Sequence, residues 1–120
     1  MMPGWLPTGR IFLHRRAADM RKSFDGLSGL VRGELGEDPL AGDLFVFVNR
    51  RRTHAKVLYW DRDGLALWSK RLERGRFLFN PEGPTEIGRD ELALLLEGVR
   101  VRVLARSRRW HVPENNLQKK

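Results

Sequence analysis

Apolar residues along this chain gather into short runs with two different spacings. Ile11-Phe12-Leu13, set between Arg10 and His14 after Pro7 and Gly9, reads as a first strand. Asp19 then offers an N-cap, and Phe24, Leu27, Leu30 or Val31, and Leu35 follow at steps near three and four, which predicts one buried face of an amphipathic helix. Gly33, Gly36 and Asp38-Pro39 end that helix, because proline cannot continue it. Leu44 to Val48 is a continuous β-rich run, and Ala55 to Trp60 is a second one. Asn49 to His54 lies between them and predicts a hairpin with a basic tip.

Asp61-Arg62-Asp63-Gly64 has turn chemistry, with glycine expected to take the positive φ, so a third strand from Leu65 to about Leu72 should fold back on the second. Gly75 interrupts the chain before Phe77-Leu78-Phe79, and Pro81, Gly83 and Pro84 make a loop. Gly88 precedes a second helix, which carries Asp90 and Glu91 in its first turn and Leu92, Leu95 and Leu96 on one face, and which Gly98 ends. The predicted fold class is α+β: a single antiparallel β-meander sheet with two packed helices over residues 8–99, followed by a basic, partly flexible tail at 100–120.

Composition narrows the function classes. A chain of 120 residues with 41% hydrophobic content supports one core and is too short for two ordinary domains. With no cysteine, neither disulfides nor a cysteine-based zinc site holds it. The apolar runs fall well short of the ~20 residues that span a bilayer, and Met1 to Pro7 lacks a secretory pattern, so a cytoplasmic location is expected. The net charge is +8, yet from Arg100 onward seven basic residues face only Glu114, so most of the excess sits in the tail. That tail suits a polyanion, or simply keeps the protein soluble.

Catalytic constellations are absent from the sequence. Asp61 and Asp63 are the closest acidic pair, but they flank an arginine in what reads as a turn, which favours turn residues over ligands for a hard cation. His14, His54 and His111 are far apart, and no serine elbow or phosphate-binding glycine loop occurs. The expectation is a protein that is not an enzyme and needs no cofactor or metal.

Binding has better candidates. Arg50, Arg51, Arg52, His54 and Lys56 cluster about the hairpin tip, and a two-stranded ribbon can enter a DNA groove. Arg21 and Lys22 fall near the expected start of the first helix, where cations oppose the dipole and call for an anion; a surface pair of Arg21 with Asp25 is the alternative. Lys70, Arg71, Arg74 and Arg76 interleave with Trp68 and Phe77, as in single-strand binders, although Trp60, Trp68 and Phe77 equally suit a core. For each cluster the alternative is a solvated, locally paired surface.

Several blocks together carry a family resemblance: Thr8-Gly9-Arg10 with a strand, Asp19-Met20-Arg21-Lys22-Ser23-Phe24-Asp25-Gly26-Leu27, Leu44-Phe45-Val46-Phe47, Lys56-Val57-Leu58-Tyr59-Trp60-Asp61, and Lys70-Arg71-Leu72-Glu73-Arg74-Gly75-Arg76-Phe77. In order and spacing, from about residue 8 to residue 99, the chain resembles the TnpB-type accessory protein of insertion sequence sixty-six, the small second open reading frame of that bacterial element. The resemblance implies a role beside a separate DDE-type transposase, without catalytic acids of its own. It departs from the family at Tyr59, where tryptophan is frequent, and in the variable tail. Two roles follow from it. The protein binds DNA, at the element's ends, through the residues named above, or it is an adaptor that holds the transposase without touching DNA. Oligomeric state stays open.

Overall fold

Strands that are apolar at nearly every position must be covered on both faces, and this is how the runs Ile11–His14 (β1) and Leu44–Val48 (β2) are used. The computed structural model of the protein describes residues 9–98, so the tail predicted at 100–120 lies outside the described residues. The remaining elements are helix α1 (Phe24–Leu30), continued by a π-helical turn at Val31–Leu35, then β3 (His54–Asp61), β4 (Gly64–Arg71), β5 (Glu86–Ile87) and helix α2 (Arg89–Glu97). They build one five-stranded sheet in the order β4-β3-β2-β1-β5.

The α+β class holds, but the purely antiparallel meander does not. β2, β3 and β4 pair antiparallel in sequence order, whereas β1 lies parallel to β2, with Ile11 opposite Leu44 and His14 opposite Phe47. The reason is the intervening helix: a strand, a helix and a return strand form a crossover, which delivers the second strand parallel to the first. β5 pairs antiparallel with β1 on its other side. Phe77-Leu78-Phe79 forms no regular strand, and Phe77 is buried with the core.

Alternate residues of the sheet feed two separate cores. On one face Ile11, Leu13, Val46, Val57 and Phe77 pack with Leu92, Leu95 and Leu96 of α2. On the other, Phe12, Phe45, Phe47 and Leu58 pack with Leu27 and Val31. The central sheet is thus sandwiched between the two helices, one on each face.

The first helix begins later than Asp19. Asp19 instead closes a turn of its own, in which its side chain accepts from the Arg21 N–H and its carbonyl accepts from Lys22. The helical end comes at Gly36, whose left-handed φ of 66° lets the Glu37 N–H reach the carbonyl of Val31. Among the described residues no helix is long and apolar enough to cross a membrane.

Candidate nucleic-acid interface

The parallel pairing has a consequence for charge, because β1 and β2 end on the same side of the sheet. Each of those ends runs into arginines: Arg15 and Arg16 after β1, and Arg50, Arg51 and Arg52 after β2. The Ala18 N–H donates to the Val48 carbonyl and holds the first segment across the end of the second strand. β4 also finishes on this side, so Arg71, Arg74 and Arg76 join the group.

The hairpin tip is built on Asn49. Its side-chain carbonyl accepts from the N–H groups of Thr53 and His54 at 2.9 and 3.0 Å, while the Arg52 N–H returns to its main-chain carbonyl. One asparagine therefore closes the loop by itself. Changing Asn49 to Ala is expected to cost about 2 kcal/mol of unfolding free energy, since two part-buried N–H groups lose their acceptor. Urea denaturation checks this, and a loss within a few tenths of a kcal/mol would mean that water replaces the side chain.

Arg52 adopts a left-handed φ of 62°. Its guanidinium lies 4.1 Å from the centre of the Phe79 ring and donates to the Phe79 carbonyl at 2.9 Å. The segment after β4 is laced to the same tip, with the Leu72 N–H on the Thr53 carbonyl and the Phe77 N–H on that of Arg52. Arg74 and Arg76 are thereby carried alongside Arg50 and Arg51.

The candidates named from the sequence divide into two sets. Arg50, Arg51, Arg74 and Arg76 are exposed, and none of their side chains has a hydrogen bond or ion pair among the described residues. Arg71 is exposed and loosely paired with Glu73 at 3.3 Å. Of the others, Arg52, His54, Lys56 and Lys70 are engaged in holding the fold. Lys56 reaches across to the carbonyls of Met20 and Lys22, and Lys70 donates to the Leu96 carbonyl at the end of α2. His54 hydrogen-bonds Ser69 through Nε2, and burial, followed by the charges of Lys56 and Arg71, lowers its pKa, so it is neutral at pH 7.

Arg21 and Lys22 precede α1 and do not lie in its first turn. Arg21 pairs with Asp19, 2.8 Å away, and not with Asp25. Lys22 is exposed beside it. The hydrogen bonds from Arg21 pull the Asp19 carboxyl down from 3.8 to about 2. As the pH falls from 3.8 to about 2 the pair is lost, and above that window it is fully formed. An NMR titration should place the Asp19 midpoint near 2, and Arg21→Ala should return it toward 3.8. A midpoint unmoved by that change would show that the contact is not kept in solution.

Two residues escaped sequence reasoning. The Arg15 residue is part-buried, its side chain covered by Pro84, Asn80 and Glu91 and donating to the main-chain carbonyls of the first two. Arg16 is exposed at the arginine-rich end and meets Glu34, whose other carboxylate oxygen accepts from the buried His14 at 2.7 Å. That bond to His14 lowers the Glu34 pKa. The signal was present in Arg15-Arg16 directly after a strand, but its meaning depends on the parallel partner.

Asp61 and Asp63 sit at the far end of β3 and β4, roughly 24 Å from the tip along the strands. They flank Arg62, which takes the positive φ of 59° expected of Gly64. Trp68 and Phe77 belong with the core, Trp68 only partly buried, and Trp60 is half-buried. Among the described residues no group of three or more His, Asp or Glu is placed to hold a metal ion.

Comparison with known proteins agrees with the sequence blocks. The family of IS66 Orf2-like proteins matches residues 9–106. The uncharacterized protein y4jC of Sinorhizobium fredii is 37% identical over 92 residues, covering 75% of this chain and 79% of its own length. The uncharacterized protein y4hO of the same organism is 37% identical over 99 residues, covering 78% of this chain and 86% of its own. No solved structure matches the chain.

Proposed function

Because the chain belongs to the IS66 Orf2-like family, the accessory proteins of that insertion sequence, we propose that it assists transposition by binding DNA at the arginine-rich end of its sheet, without catalysis of its own. The observation that carries this reading is the set Arg50, Arg51, Arg74 and Arg76: four exposed guanidinium groups with no partner among the described residues, held by hydrogen-bonded backbone. A group of unpaired arginines suits phosphate oxygens, since each contact forms a charge-assisted hydrogen bond and releases counterions. Lys56, Lys70 and Arg52 support that surface from within.

The reading is tested by binding of the full chain to an element-end duplex and to a scrambled duplex across a salt series. Affinity that falls steeply with salt supports it, and preference for the element end makes the contact specific. Absence of binding at low salt, with stable capture of a DDE-type transposase instead, would establish the adaptor role.

A further inference from the structure

Among the described residues the sheet has two edges, β5 and β4, and they are protected very differently. β5 is two residues long and offers little to pair with. β4 is eight residues long, pairs with β3 through an unbroken register with no bulge, and contains no proline. From Gly64 to Trp68 it carries no charge. Natural edges are normally blunted by shortness, bulges, proline or charge, and this stretch of β4 has none of these.

Which groups the edge presents follows from the ladder. The Leu72 N–H points to Thr53, so the even-numbered residues of β4 turn their main-chain groups toward β3. The N–H and C=O groups of Leu65, Leu67, Ser69 and Arg71 therefore point outward. Leu65 and Leu67 on one face, and Trp68 on the other, are only partly covered by the two cores.

We propose that β4 is the surface on which two copies of this chain pair, antiparallel about a two-fold axis at Leu67, to make a continuous ten-stranded sheet. Only registers that set odd-numbered residues opposite odd-numbered ones, or even opposite even, satisfy the outward groups of both copies. With Leu67 on the axis, Leu65 faces Ser69 and Asp63 faces Arg71, and the symmetry repeats each contact. Charge complementarity selects this register, because moving the axis to Trp68 sets Asp63 against Glu73. Asp63, the turn residue just before β4, and Arg71, its last residue and in the single chain loosely paired with Glu73, are both exposed, which makes β4 with its flanking turn complementary to its own reversed copy. The pairing extends the cover over Leu65, Leu67 and Trp68. It stands apart from the DNA reading because the free arginines at 50, 51, 74 and 76 lie outside the paired strand and its test, which varies Arg71, contains no DNA.

The test is sedimentation equilibrium of the full chain without DNA, with Asp63→Lys, Arg71→Glu and the double exchange, circular dichroism confirming that each variant folds. The native chain is expected to dimerise. Each single reversal sets like charges opposite one another at two symmetric places and should raise the dissociation constant about tenfold or more. The double exchange should restore it to within about threefold of the native value. A dimer that ignores the exchanges would overturn the proposal, and so would a monomer at every concentration. If that monomer protected the amides of Leu65, Leu67 and Ser69 from hydrogen exchange, the edge would belong to this chain's own residues beyond Gly98.

Discussion

Replacing Arg50, Arg51, Arg74 and Arg76 together with alanine is expected to weaken binding to duplex DNA roughly a hundredfold near 50 mM salt. Four phosphate contacts contribute a slope of about −3.6 to the dependence of log affinity on log salt, and that contribution should vanish in the variant. The fold should be unaffected, since these side chains are exposed and none has a partner among the described residues. Lys56→Ala and Lys70→Ala give the contrast. Each removes a strut between main-chain carbonyls and the sheet, so each should lower the melting temperature and leave the salt slope unchanged. Equal affinity and equal slope in the quadruple variant would exclude the arginine-rich end as the contact.

The second large effect is on stability. Arg15→Ala is expected to cost about 3 kcal/mol, or roughly fifteen degrees in melting temperature for a domain of this size. The Arg15 side chain is only 6% exposed, and its guanidinium donates to the carbonyls of Asn80 and Pro84 while lying 3.6 Å from Glu91. Truncation leaves two carbonyls without their donor and opens a hole beneath the 80–84 loop. An added Cβ on Gly83 would meet the guanidinium at 2.7 Å, so the loop closes on this side chain. Arg15→Lys should rescue little, because one ammonium cannot reproduce the planar fork that serves several acceptors. Glu91 is half exposed, and Glu91→Ala should cost less than 1 kcal/mol. A loss below 1 kcal/mol for Arg15→Ala would show that the 80–84 segment is held by something else.

These two predictions separate cations that look alike in the sequence. Arg50 and Arg52 are two residues apart in the same basic loop, yet one is exposed without a partner and the other is stacked on Phe79. Lys70 and Arg71 are adjacent, but alternation along β4 sends Lys70 to the face of α2 and Arg71 to the opposite face. No composition or charge count makes that distinction.

What the sequence determined by itself was local. Leu44–Val48, the strands on either side of the Asp61–Gly64 turn, and a helix with Leu92, Leu95 and Leu96 on its buried face were legible, because each depends on spacing or turn chemistry within a dozen residues. The family was legible for a related reason: its blocks are contiguous stretches in fixed order. Tertiary structure decided the parallel partner of β1, the two-residue β5 and the delayed start of α1. Each depends on a contact with residues distant in the chain or on a competing local hydrogen bond, such as the one Asp19 makes to Arg21. It also decided the candidate site. Arg16, Arg50 to Arg52, and Arg71 to Arg76 come to the same end because β1, β2 and β4 end on one side of a single sheet, and strand direction is set by crossover and pairing, which no single stretch of sequence encodes.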